Sequence, residues 1–218
     1  MGSSLTKESK DLFEAAAVGD AVKLRPLAEK LSGKNGALNW KNPSSNEQTA
    51  LCVASDKGFS RCVKILASTP GVDVSAVDKN GASPLYLASS KGSLDSVKEL
   101  LLISGIDVNK VDSQGSTALW SAACHGHADV VKLLLAAPGV DFNKESHYGL
   151  LSAKEKKAAA KNKTPLYAAV ANGHKECVKL LLAQPGIELN KATWDGRTPL
   201  SVAASDDVRQ MLKDKGGH

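Results

Sequence analysis

Along most of the chain, apolar positions fall in short bursts at helical spacing, separated by glycine and by polar turns. Valine recurs at 63, 97, 131 and 178, and leucine follows three positions on at 66, 100, 134 and 181. That spacing puts each Val/Leu pair on one face of a helix. Ahead of each pair lies a more continuous burst: TALCVAS from Thr49, SPLYLAS from Ser83, TALWSAA from Thr117, TPLYAAV from Thr164. A shortened copy, TPLSVAA, begins at Thr198. The opening Thr or Ser supplies an N-cap oxygen. Pro84, Pro165 and Pro199 take the first helical position, where a missing N–H costs nothing. Gly58, Gly92, Gly126 and Gly173 end this first helix after about two turns, as a left-handed position requires. A second helix carries the Val/Leu pair. TPGVD, ISGID, APGVD and QPGIE then break it, and DKNG, DSQG and TWDG form tight turns ending in Gly81, Gly115 and Gly196.

The opening leucines stand at 51, 85, 119, 166 and 200, at intervals of 34, 34, 47 and 34. The period is therefore 34, and one unit carries 13 extra residues, placed by this spacing at about Ser146–Ala158. A period of this size signals stacked units that cannot bury their apolar faces alone. The T-P-L opening, the Gly173-His174 turn, the VVKLLL of Val130–Leu135 and the DVN of Asp107–Asn109 resemble the ankyrin repeat. The resemblance covers nearly the whole chain. It implies an all-α ankyrin-repeat solenoid of stacked helix-turn-helix units with protruding turn or hairpin tips, and a non-enzymatic protein-binding scaffold. In such arrays the binding surface runs along the turn tips and the exposed side of the first helices.

The register divides the chain into a tail and degenerate capping repeat (1–45), three full repeats (46–144), a basic insertion (145–162), a fourth full repeat (163–191) and a shortened capping repeat (192–218). In the first cap, Gly19 keeps the turn, and Leu24 and Leu27 take the Val and Leu slots. Pro26 is expected to shorten or kink its second helix. In the last cap the glycine turn is lost, while Val208 and Met211 keep the core slots.

Charge matters locally more than globally. The chain has 28 basic and 23 acidic residues, a net +5, well short of the dense cationic face of a nucleic-acid-binding domain. No nucleic-acid partner is expected. Residues 144–163, KESHYGLLSAKEKKAAAKNK, hold six lysines and two glutamates, and so most of that excess. Ser152 and Glu155 form a capping box before an Ala/Lys-rich run, which predicts a short extra helix at the tip between the fourth and fifth units, pinned by Leu150 and Leu151. Either this is a solvated elaboration, or Lys154, Lys156 and Lys157 make a basic finger for an acidic peptide, a phosphorylated partner or an anionic lipid head group.

The stretch SAACHGHADVV, from Ser121, gathers Cys124, His125, His127 and Asp129, all metal-binding types. Register mates argue against a site: the Cys124 slot holds Asp56, Ser90 and Ala171 elsewhere, and only the histidine after glycine recurs, at His174. No metal and no cofactor are expected. The four cysteines are scattered, which fits reduced thiols in a cytoplasmic protein better than a disulfide framework.

Two features distinguish the binding side. The slot after T-P-L reads Tyr86, Trp120 and Tyr167 in three successive units, either an inter-repeat packing slot or a partly exposed aromatic ladder. Trp194 lies at the last turn tip. Register then proposes Lys79, Asn80, Tyr86, Lys91, Trp120, His125, Lys161, Lys163, Tyr167, Trp194 and Arg197 as the contact set of a monomer holding a protein or peptide, acidic if the insertion takes part. An alternative starts from MGSSLTK, which matches the N-myristoylation pattern at Gly2. A membrane-tethered adaptor would combine that lipid with the basic insertion.

Overall fold

The computed structural model describes residues 2–34, 36–146 and 163–218, with side chains from Thr6 onward. They form two compact units. Met1–Asp107 contains α1 (Gly2–Val18), α2 (Ala21–Leu31), α3 (Ala50–Asp56), α4 (Ser60–Ser68), α5 (Pro84–Ser90) and α6 (Leu94–Leu101). Val108–His218 contains α7 (Ala118–His125), α8 (Ala128–Leu135), α9 (Pro165–Ala171), α10 (Lys175–Leu182), α11 (Pro199–Val202) and α12 (Asp206–Asp214). Among the described residues there is no strand, only isolated bridges at Asn42–Gln48 and Ser146–Lys163. In each unit first helices pack on first helices and second on second, the all-α repeat architecture expected.

The local devices act as the sequence requires. Thr49, Ser83, Thr117, Thr164 and Thr198 accept hydrogen bonds at 3.1–3.3 Å from the backbone N–H three residues on. The turn glycines also make room for the next repeat. Gly126 has φ +79°, and a Cβ there would lie 2.5 Å from Nδ1 of His174; at Gly58 it would lie 2.5 Å from Oγ of Ser93. Both conformation and space therefore demand glycine. The Val/Leu pairs at 63/66, 97/100, 131/134 and 178/181 are fully buried.

The caps depart from expectation. The N-terminal segment is not a tail: α1 starts at Gly2, runs 17 residues and buries Leu12, Phe13, Ala15 and Ala16. Its Phe13 meets Trp40 edge-on, with ring centroids 5.9 Å apart. Pro26 does not end α2, which continues through it to Leu31. The proline lies on the exposed face, so solvent can reach the carbonyl its ring leaves without a donor. The buried row of α2 is Leu24, Ala28 and Leu31, with Leu27 only half-buried. In α12 the buried pair is Val208 and Leu212; Met211 is half-buried. Without a glycine turn, α12 enters rotated, and its core pair is spaced by four instead of three.

A second device joins neighbouring repeats through the backbone. Asn143 donates from Nδ2 to Gly186 O at 2.9 Å and accepts at Oδ1 from the N–H of Glu188 at 3.0 Å. Asn109 does the same to Gly139 and Asp141, Asn39 to Gly71 and Asp73, and Asn190 to Gly216 and His218. Each amide thus clips both hydrogen-bonding groups of the following loop. We expect Asn143→Ala to lower stability by about 1–2 kcal/mol, since water can replace the lost bonds at these exposed loops. Leu134→Ala, which opens a cavity in the core, should cost about 2–5 kcal/mol. Urea denaturation of both variants checks the order; a costlier Asn143→Ala would contradict it.

Candidate binding surface

Each turn tip is built around the first residue of its tetrapeptide. Oδ1 of Asp78 accepts from the N–H groups of Asn80 and Ala82 at 2.8 and 2.9 Å, and Asp112 does the same for Gln114 and Ser116. The backbone closes beneath as an antiparallel pair, with Asp78 N–H donating to Ala82 O and Asp112 N–H to Ser116 O. Asp78 is buried, so its second oxygen needs a partner, and Nδ2 of Asn46 supplies it at 2.6 Å. Lys79 and Asn80 are thereby exposed on a braced tip.

In the last tip Thr193 replaces the aspartate. Its hydroxyl donates to Asp195, and its backbone closes on Arg197 at 2.9 Å. Asp195 pairs with Arg197 at 2.6 Å. Burial pushes the Tyr167 phenol up, and the nearby Arg197 charge draws it partly back. Trp194 stands 61% exposed on this frame. Thr193, Asp195 and Arg197 thus form one hydrogen-bonded frame, and Trp194 lies within it in sequence. The sequence reading missed Thr193, although its recurrence in the Asp78 and Asp112 register was there to be read.

The exposed aromatic ladder does not form. Trp120 and Tyr167 are 2% and 4% exposed, and Tyr86 is half-buried against Cys52, Ala82 and Leu87. Trp120 and Tyr167 are buried and so do not lie on the exposed surface. Lys91 is exposed and loosely paired with Asp56 at 3.8 Å. His125 is exposed, and its Nδ1–H donates to Ser121 O at 2.8 Å. Lys163 is half-buried at the foot of the insertion. Lys154, Lys156, Lys157 and Lys161, with the expected extra helix, lie outside the described residues, and Gly2 is the first residue of α1.

The base of the insertion is well defined. Ser146 N–H donates to Lys163 O at 3.1 Å, and the buried Ser146 hydroxyl shares a 2.5 Å hydrogen bond with that of Ser116. Ser146 occupies the register of Asp78, Asp112 and Thr193, so it belongs to the frame and not to the extra 13 residues. Gly149 falls in the register of Gly81, Gly115 and Gly196. By register, SHYG matches the other tip tetrapeptides, and the added residues are Leu150–Asn162.

The Cys/His stretch takes part in joining repeats. Nε2–H of His174 donates to Cys124 O at 3.0 Å, tying one repeat's glycine turn to the previous one. Among the described residues no group of three or more His, Cys, Asp or Glu side chains could hold a metal ion. Burial pushes all four thiols up, Cys177 to about 11, so at neutral pH they are protonated and weak nucleophiles.

The last tip has a titration signature. The Arg197 side chain, with the Thr193 hydroxyl, holds the Asp195 carboxyl down at about 2. A depressed carboxylate contributes above the ordinary aspartate range and is lost as pH falls through its own value. The tip should thus stay paired through mild acid and open only near pH 2. Carbon-detected NMR should find that midpoint, and Arg197→Ala should return it toward about 3.9. A native midpoint near 4 would refute the pairing.

An ankyrin-repeat family model (three copies) matches residues 12–112, 70–146 and 148–217. No curated protein matches the chain. Since those matches span the chain, and the described helices, turn glycines and loops repeat in their register, the protein belongs to the ankyrin-repeat family.

Proposed function

We propose that the chain is a non-enzymatic scaffold that holds a protein or peptide partner along its turn tips, with Leu150–Asn162 as the element that selects an acidic one. Ankyrin repeats are generally protein–protein interaction modules. One observation carries the finer reading: the insertion leaves from a closed base, the Ser146–Lys163 bridge, at a tip position. Four lysines against one glutamate are thus added where a partner would be met, outside every packing slot. Complementary charge at such a site raises association rate and selectivity more than raw affinity. Trp194, held out on its hydrogen-bonded frame, is the natural apolar anchor. The tethered-adaptor reading adds a lipid at Gly2, yet a single myristoyl chain binds membranes only marginally. No described helix is long and apolar enough to cross a membrane. Protein binding is the reading we adopt.

Deleting Leu150–Asn162 rejoins SHYG to KTPL and restores the 34-residue spacing. The shortened protein should keep its melting temperature to within a few degrees, because Ser146 and its bonds remain. Affinity for a partner recovered with the intact chain should fall and lose most of its salt dependence. Trp194→Ala should also weaken that complex without destabilising the fold. Isothermal titration at two ionic strengths decides; equal affinity of the deletion and native proteins would exclude the insertion from binding.

A further inference from the structure

In the first unit, α2 and α4 leave a cleft of about 370 Å³ between them. Its walls are Ala21, Val22, Arg25, Arg61, Lys64 and Ile65. An adjoining cleft of about 330 Å³ shares Arg25 and Ile65 with it and continues toward Ser32 and Pro70. The two make one groove along the second-helix side, away from the turn tips. Ile65 gives it an apolar floor, and Val22 stands 87% exposed at its rim, although nothing in the repeat requires an apolar residue there.

The charges of this groove are not balanced. Lys64 reaches Glu99 at 3.2 Å and is partly compensated. The Arg25 and Arg61 guanidinium groups have neither an ion-pair nor a hydrogen-bond partner among the described residues. Of the nearby acids, Asp20 is engaged by the N–H of Lys23, and Glu29 lies in the adjoining cleft. The other end of the chain makes a useful contrast. The cleft between α10 and α12, lined by Leu182 and Met211, is also apolar, but its Lys179 is held by Glu176 and its Asp214 accepts from Gln210. Unlike that cleft, the α2/α4 groove joins an exposed apolar side chain to two arginines that have no ion-pair partner among the described residues. Arginine is suited to planar, two-point recognition of carboxylates.

We propose that the α2/α4 groove is a second docking surface, for an acidic peptide segment that places a bulky apolar side chain over Ile65 beside Val22 and its carboxylates on Arg25 and Arg61. The chain's own insertion is excluded as occupant by its sign, since residues 144–163 carry six lysines against two glutamates. The proposed occupant is a separate chain. The surface does not depend on the turn tips, so one array can hold two partners at once.

The probe is a short fluorescein-labelled peptide of leucine and glutamate in helical register, with polyglutamate of equal length as the control. Anisotropy should saturate with the native chain, and the amides of Val22, Arg25, Arg61 and Ile65 should shift in nitrogen-15 NMR spectra. The double reversal R25E/R61E should weaken binding at least about tenfold, and V22S by a smaller factor, with melting temperature unchanged because all three side chains are exposed. The Leu150–Asn162 deletion should bind the probe as the native chain does, which separates this surface from the tip reading. Unchanged affinity in R25E/R61E overturns the proposal. So does polyglutamate binding as tightly as the leucine-containing probe, which would reduce the groove to a charge field. So do shifts confined to residues flanking the insertion, or binding of phosphatidylserine vesicles without binding of the peptide.

Discussion

A helix of about two turns cannot persist alone in water, because nucleation fixes several dihedrals before hydrogen bonds repay them. Nearly every first and second helix of the full repeats is of that length. Stability must therefore come from the neighbouring repeat, and the recurrent features are ways of holding that neighbour at a fixed height and angle. The Val/Leu row provides apolar burial. The asparagine clip fixes the loops through backbone groups, which any side-chain sequence can supply. The glycine turn lets the next repeat's side chain close to within van der Waals range. The three act at different heights of the repeat, so each constrains a motion the others leave free.

The surface follows from that arrangement. Tips are rigid because their first residue satisfies the turn's N–H groups and the backbone closes below, so exposed side chains such as Lys79 and Trp194 are presented from a fixed frame. The aromatic slot shows the same logic in reverse. The ring at Tyr86 packs against Cys52 of the preceding first helix, and Trp120 and Tyr167 in the same slot are buried. Support and recognition are divided between adjacent residues of one strip of sequence.

Much of this was legible in the sequence because the repeat compares each residue with its register mates. Periodicity exposed the helices, caps, turn glycines and the approximate place of the insertion. Register also showed that only the histidine after the turn glycine recurs, and His174 in that slot bonds the preceding repeat's turn. Register could not tell Trp120 from an exposed rung, since an aromatic at a given height packs or projects according to the angle between neighbouring helices. It also misplaced Met211 and Leu27, because both lie in caps where a lost glycine or an added proline rotates the helix. The groove at Arg25 and Arg61 was invisible for a simpler reason: it lies across two repeats, and no single register position contains it.

The closed hydrogen-bonded base at Ser146 and Lys163 bears on how such a chain can vary. Between the bridged residues the loop has 16 positions where the other tips have three, and the entropy of closing a loop grows only with the logarithm of its length. That amounts to about 1.5 kcal/mol, less than the loss of a single buried leucine. Stacking geometry and surface chemistry are therefore nearly separable quantities in this protein, and new sequence can be admitted at a tip while the frame beneath it stays the same.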